Sequence, residues 1–254
     1  MAQIELCDLS LRWRTQTAPL LASTNAVFRA GDAVLIAGEN GTGKSTLLKT
    51  ILRTEMRDKI VSGTILLNGR DSRSMDSRAL QEQRRRIAWL PQYDAFDALD
   101  GYTVADVLYD SFEAHHNRRP SRIDRQWIAS TFARMLPPEA GLTLKSPLRK
   151  LSGGQQRLVS ILSEVGLVEK PDFFLLDEPL NNLDMTAVRL ISNLLNRIHR
   201  ENPDAVMVMV SHCRIFPFVN RVLTIGHGQL LESDAPPVCY TCFGQPDAEG
   251  FYRV

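Results

Sequence analysis

The sequence has no long apolar run. None of its 254 residues fall in a stretch near the about 18 apolar positions that a membrane-crossing helix requires. It also lacks an excess of charge of either sign: 30 Lys and Arg stand against 29 Asp and Glu, leaving a net charge of +1. Nucleic-acid binding draws on surplus cations set against phosphate, so this balance supplies no electrostatic case for it, and no nucleic-acid partner is expected. Cysteine is scarce. Cys7, Cys213, Cys239 and Cys242 are too few to frame a chain of this length with disulfides. Charged residues arrive at Glu5, Asp8 and Arg12, too early for the apolar core of a signal peptide. These absences point to a cytosolic protein, or one held at a membrane only through a partner. What remains is ordinary globular composition, 44% hydrophobic and 23% charged, enough for one large domain or a domain with a subdomain.

Against that background, Gly38-Glu39-Asn40-Gly41-Thr42-Gly43-Lys44-Ser45-Thr46 matches the phosphate-binding pattern G-x-x-x-x-G-K-[ST] at every fixed position. Its flanks fit as well. Ala33 to Ala37 is a short apolar run that reads as a buried strand, and Thr46 to Leu52 continues without Gly or Pro as a helix. A strand, a glycine-rich loop and a helix start together aim backbone N–H groups and a helix dipole at an anion. Lys44 supplies a point charge to the β- and γ-phosphates, and Ser45 a hydroxyl to Mg²⁺.

Along the chain, Ile4, Leu6, Leu9 and Leu11 lead to Trp13 through short strands and turns. Ile65-Leu66-Leu67, with Gly63 and the turn Asn68-Gly69, reads as one member of a strand pair. Arg84-Arg85-Arg86 read most simply as a solvated helix end, with phosphate or an acidic partner as the alternative. From about 94 to 150 the pattern turns helical, with Val104, Val107 and Leu108, then Ile128, Phe132, Met135 and Leu136, separated by a polar break at His115-His116-Asn117-Arg118-Arg119-Pro120. The two histidines read as solvated in preference to metal ligands. A helix is expected over Gln155–Val168. Phe173-Phe174-Leu175-Leu176 is bulky, apolar and followed by two carboxylates, as in a parallel strand buried on both faces. Val188, Ile191, Leu194, Leu195 and Ile198 form the buried stripe of a helix with Asp184 at its N-cap and Pro203 past its end. Ala205 to Val210 is another buried strand, ending at Ser211-His212. Val222–Ile225 and Gln229–Leu231 close a hairpin around Gly226-His227-Gly228. The tail from Asp234 is rich in Pro and Gly and has no clear period. Its Cys239-x-x-Cys242 is half a zinc site by spacing, with no second half nearby.

Five further motifs narrow the phosphate loop's meaning. Leu151-Ser152-Gly153-Gly154-Gln155 reproduces LSGGQ letter for letter. Phe173 to Pro179 is similar to a Walker B strand. Gln92 and His212 fall at the places of a Q-loop glutamine and a switch histidine, and Asn182-Leu183-Asp184 resembles a D-loop. In this order, over roughly residues 4–232, they resemble the ATP-binding cassette (ABC) ATPase family.

The resemblance implies an α/β fold: a P-loop NTPase core of mostly parallel sheet, with an antiparallel β subdomain and a helical subdomain. Residues 1–232 would form this ABC ATPase domain, with the helical subdomain inserted at about 93–165. Residues 233–254 would be a C-terminal tail of unknown role. It implies ATP and Mg²⁺ as cofactors. Asn40, Gly41, Thr42, Gly43, Lys44, Ser45 and Thr46 would hold phosphate, and Trp13 would stack on adenine, with a core tryptophan as the rival. Ser45, Gln92 and Asp177 are its Mg²⁺ set. Phosphoryl transfer needs positioning and charge compensation, so Glu178 is the candidate base for the attacking water, with His212, Gln92 and Lys44 beside it.

Ser152, Gly153, Gly154 and Gln155, with Asp184, would meet the nucleotide of a second subunit. That implies a homodimer or a heterodimer with a similar ABC subunit, bound to integral membrane permease subunits at the cytoplasmic face. A soluble ABC ATPase acting on nucleic acid or ribosomes, and a nucleotide-binding module without turnover, are the alternatives. The chain departs from the family pattern after LSGGQ, where Gln156-Arg157 follow directly and Leu158 takes the usual Arg place. The helix up to Walker B is also about two residues longer than is common, and Cys213 stands where an acidic residue often follows the histidine.

Overall fold

The computed structural model describes residues 1–54, 56–92, 101–212, 214–235, 238 and 245–253. The expectations on Cys213, Cys239 and Cys242 lie outside them. The chain folds around a six-stranded sheet of order β10-β9-β3-β8-β7-β6. Its centre is β3 (Ala33–Ala37), β8 (Val206–Val210) and β7 (Phe173–Asp177), flanked by β6 (Ile87–Leu90) and β9 (Arg221–Gly226). All five run parallel, and only β10 (Gln229–Glu232) is antiparallel, returning from β9 as the expected hairpin. Parallel strands have both faces covered, which is why β3, β6 and β8, and β7 as far as Leu176, carry apolar residues at every position and not at alternate ones.

The alternation still sorts them. Phe173, Leu175, Val206, Val208 and Val210 point into one core, with Leu47, Leu48 and Ile51 of α1 (Lys44–Ile51). Phe174, Leu176, Met207 and Met209 point into the other, against the remaining helical layer. Each such fully buried side chain contributes about 1.5–3 kcal/mol.

The first core is closed by a second, antiparallel sheet of order β2-β1-β4-β5. It comprises β1 (Gln3–Trp13), β2 (Leu21–Arg29), β4 (Lys59–Leu67) and β5 (Arg70–Asp71). Ile4, Leu6, Leu9 and Leu11 of β1 are all buried. Their step from even to odd numbers is a bulge, with Asp8 at φ 48° and the pairing register shifting between Leu6 and Leu9.

The second core is covered by α3 (Val104–His116), α4 (Arg122–Met135), α5 (Gly153–Ile161) and α6 (Met185–Glu201). Thr103 with Asp106, and Ser121 with Asp124, cap α3 and α4 by reciprocal side-chain to backbone bonds. The α6 stripe Val188, Ile191, Leu194, Leu195 and Ile198 is buried, and Asp184 accepts from Ala187 N–H at 3.0 Å.

The structure refines several expectations. The helix over 155–168 does not run through: α5 passes at Leu162–Gly166 into a wide π turn, where Ser111 Oγ donates to Ser163 O at 2.6 Å and Ser163 Oγ to Ser160 O at 3.0 Å. His115 and His116 are half-buried, not freely solvated. They form the last turn of α3 before Asn117, which ends it at φ 54°. His116 stacks on Phe112 with ring centroids 4.0 Å apart, and burial holds the His115 imidazole below its usual value. Among the described residues no three His, Cys, Asp or Glu side chains gather as a metal site.

Arg84 and Arg85 do end a helix, α2 (Ser77–Arg85), but the run is not purely solvated. Arg84 bonds the carbonyls just past α1, donating to Leu52 O at 3.2 Å and Arg53 O at 3.1 Å, and Arg86 pairs with Asp172 at 2.6 Å. Finally, the tail packs on the domain. Val238 and Tyr252 lie in the second core, and the Asn193 side-chain amide clasps the Tyr252 backbone, donating to its O at 2.8 Å and accepting from its N–H at 2.7 Å. No described helix is long and apolar enough to cross a membrane.

Candidate nucleotide site

The carboxyl ends of β3, β7 and β8 bring the site together. The loop leaving β3 carries Gly41 at φ 82° and Gly43 at φ 99°, backbone states that a side chain would strain. Gly43 stands at the N-terminus of α1 with no side-chain cap, so the first N–H groups of the helix face outward. Lys44, the first residue of α1, is buried, and its ammonium donates to Gly38 O at 2.9 Å. Trp13, Asn40, Gly41, Gly43, Lys44, Ser45, Thr46, Gln92 and Glu178, with Leu20, line one concavity of about 250 Å³. Thr42 is on the same loop, its hydroxyl donating to Glu39 O at 3.1 Å. Trp13, the last residue of β1, is half-buried at the rim, with the Lys59 ammonium 5.4 Å from its ring centroid.

Asp177 closes β7 and is buried. Its Oδ1 accepts from the Ser45 hydroxyl at 2.7 Å, while Oδ2 is buried with no hydrogen-bond partner. Glu178 does not continue the strand's alternation, as an extended chain would have it. It kinks at φ 48°, with its N–H bonded to Val210 O at 2.9 Å, and this left-handed turn aims its carboxylate at the His212 imidazole, Nε2 to Oε1 3.1 Å. Strain of this kind persists where the surroundings over-determine it.

Burial pushes both carboxyls up, opposed at Asp177 chiefly by the Ser45 bond and at Glu178 chiefly by His212. Burial likewise pushes the Lys44 ammonium down, against the pull of Glu178 and Asp177. Three buried ionisable groups held away from their ordinary values, in one cleft, mark a chemical site more than a solvated strand end.

A second group assembles elsewhere on the chain. Ser152 caps α5 and Gln155 returns the bond, with Gln155 Oε1 accepting from Ser152 N–H at 3.1 Å. Ser152, Gly154, Gln155 and Asp184 line a separate concavity of about 660 Å³, with Gly153 exposed as the first residue of α5. The expected residues therefore form two half-sites. The phosphate loop, Gln92, Asp177, Glu178 and His212 belong to one. Ser152 to Gln155 and Asp184 belong to the other, which faces a separate concavity.

The sequence reading did not single out Arg157 for a role. It is buried on α5, and its guanidinium donates to the carbonyls of Asp177, Glu178 and Pro179. The available signal was an arginine inside the buried stripe Gly154, Leu158, Ile161.

A phosphate loop at the carboxyl end of a central parallel strand, two buried carboxylates opposite it and a capped glycine turn at the start of α5 define a P-loop ATPase of the ATP-binding cassette class. The chain belongs to the ABC transporter family, which matches residues 21–181. It is 31% identical over 238 residues to the methionine import ATP-binding protein MetN of Cupriavidus metallidurans, covering 91% of this chain and 64% of that one. Its fold superposes on cbiO1 of Clostridium perfringens, part of the ABC transporter complex cbiONQ, with a TM-score of 0.72 and 25% identity, covering 95% of this chain and 90% of that one. It also superposes on the ATP-binding cassette MJ0796, solved as a dimer in a post-hydrolysis state with ADP and Pi, with a TM-score of 0.71 and 23% identity over 91% and 97% of the two chains. The chain spans from about a third, 34%, to 69% of the length of curated relatives that it matches.

Proposed function

We propose that this chain is the ATP-binding and ATP-hydrolysing subunit of a transporter, coupling dimer closure to separate membrane permease subunits at the cytoplasmic face. The observation that carries the reading is the separation of the two half-sites. Each has anion-binding backbone, and only a second cassette, identical or similar, can bring Ser152 to Gln155 over the phosphates held by Lys44 to Thr46. The resemblance to the dimeric cassette and to a subunit of cbiONQ supports the assembly.

In this reading the phosphate loop binds ATP, and Trp13 offers a ring to the base. Lys44 leaves the Gly38 carbonyl for the phosphates. Glu178, deprotonated and held by His212, orients a water and takes its proton, and His212 keeps the carboxylate turned inward. The residues fit Mg²⁺: Asp177 presents a buried oxygen with no partner beside the Ser45 hydroxyl, which suits a hard cation, and Gln92 lines the same concavity. Bound there, the ion would neutralise phosphate charge. Movement at Gln92 and the neighbouring helices would carry closure to the permease.

The test is Glu178→Gln. With Mg²⁺ and ATP it should lose about 10²- to 10⁴-fold in turnover. It should accumulate an ATP-dependent dimer by size-exclusion light scattering, and recover an integral membrane protein from native membranes in mild detergent. Unchanged turnover sinks the catalytic assignment. A permanently monomeric variant sinks the dimer, and recovery of ribosomes or nucleic acid in place of a permease sinks the transport reading.

A further inference from the structure

Arg157 is a buried cation that bonds main chain. Three backbone carbonyls in a row accept from it: Nε donates to Pro179 O at 3.1 Å, and one terminal nitrogen donates to Asp177 O at 3.3 Å and Glu178 O at 3.1 Å. Only 4% of the residue is exposed. A guanidinium has donors fanned in one rigid plane, so it can gather carbonyls that an ammonium or an amide could satisfy only in part. These three belong to the segment just past β7, where Glu178 takes its left-handed turn at φ 48°. With the carbonyls turned to one side and tied there, the Glu178 carboxylate is left on the other, 3.1 Å from His212.

The other end of the tie matters equally. Arg157 is on α5, whose first turn is the Ser152–Gln155 capping box. One helical turn therefore separates the glycine turn of the second half-site from the cation holding the backbone of the first. Leu158, the next residue, is buried apolar packing and cannot share the task.

We propose that Arg157 is a positioning residue for hydrolysis: it sets the backbone turn that points Glu178 inward, and so makes that orientation depend on where the Ser152–Gln155 end of α5 sits. This rests on Glu178 being the base in the proposed hydrolysis. A second subunit that moves α5 on meeting its nucleotide would thereby adjust the carboxylate of the same chain.

The test uses the full chain with Arg157→Gln, which keeps two donors and no charge, and Arg157→Lys, which keeps the charge and loses the planar fork. Three quantities are measured: ATP affinity, single-turnover hydrolysis in both the wild-type and Glu178→Gln backgrounds, and amide hydrogen exchange. We expect ATP affinity within about 2-fold of wild type in both variants, because neither half of the phosphate loop touches Arg157. Arg157→Gln should slow hydrolysis by about 10- to 100-fold in the wild-type background, the scale of an ångström's misplacement. It should slow it by less than about 2-fold once Glu178 is already Gln, the mark of two residues acting through one group. Arg157→Lys should recover part of the rate. Exchange should rise over residues 174–183 and stay unchanged over 44–52.

A purely structural arginine would lower the rate by the same factor in both backgrounds, and that additivity overturns the proposal. So does unchanged exchange over 174–183. If the wild-type chain binds ATP without hydrolysing it, the proposed function fails, and the exchange measurement alone decides whether Arg157 holds the turn.

Discussion

Gly154 packs against Ala187 at the start of α6, and it offers a sharp steric test. A Cβ placed on it would lie 2.5 Å from the Cβ of Ala187. Non-bonded carbons rest about 3.5–4.0 Å apart, so Gly154→Ala requires the two helix starts to part by about 1–1.5 Å. No rotamer change relieves this, because both atoms are fixed to backbone. The α6 side is the firmer one: Val188, Ile191, Leu194 and Leu195 are buried behind it. The displacement therefore falls on the start of α5 and on the Ser152–Gln155 turn.

Overpacking of this size costs about 1–3 kcal/mol, which at about 2–4 °C per kcal/mol for a domain of this size lowers Tm by about 2–12 °C. If the turn stabilises transferring phosphate, a shift of about 1 Å also lowers kcat on the order of 10²-fold. The compensating change is Ala187→Gly. The double variant regains the space, loses about 0.5–1 kcal/mol to helix glycine, and should return to within a few-fold of wild-type turnover. Steady-state phosphate release and thermal melting on the four proteins complete the square. Wild-type turnover in Gly154→Ala, or a double variant no better than the single, refutes the steric reasoning.

The raised carboxyls make a prediction about stability. A carboxyl lifted above its ordinary value favours the folded state while protonated, and this contribution is present below the unfolded value, near pH 4, and lost as pH rises through the folded one. Asp177→Asn and Glu178→Gln should therefore raise Tm at neutral pH without nucleotide or Mg²⁺, with the gap closing on acidification, and a gap that widens in acid contradicts the sign. Asp184→Ala removes the acceptor for Ala187 N–H and should cost about 1 kcal/mol by denaturant melts, with no loss expected if the cap is dispensable.

Much of the molecule was readable because its instructions are local. The phosphate loop is nine consecutive residues. The buried stripe of α6 needs only a period, and Asp184 caps that helix from the adjoining position. The double-sided burial of β7 follows from four bulky apolar residues with no polar alternation. What escaped depends on groups far along the chain. Glu178 kinks because Val210 takes its N–H and Arg157 its carbonyl, neither of which is adjacent in sequence. Arg157 looked like a departure from a motif until the carbonyls it serves were in view. The tail has no period, and its role stays open in the sequence. It docks through side-chain amides of Asn193 and Asn196 that bond its main chain, and main chain is the same whatever the side chains spell.

The π turn at Leu162–Gly166 bears on how such a helix changes length. An added residue in a regular helix rotates everything beyond it by about 100° and would swing an apolar stripe into water. A wide turn stores the added residue as slack instead, so that Leu158 and Ile161 before it and Val165 and Leu167 around and after it all stay buried. The segment leading into β7 can thus be lengthened by one residue without re-aiming the Ser152–Gln155 turn at its head. This uncouples the spacing between two motifs from their orientation, which leaves length free to drift while the chemistry stays in register.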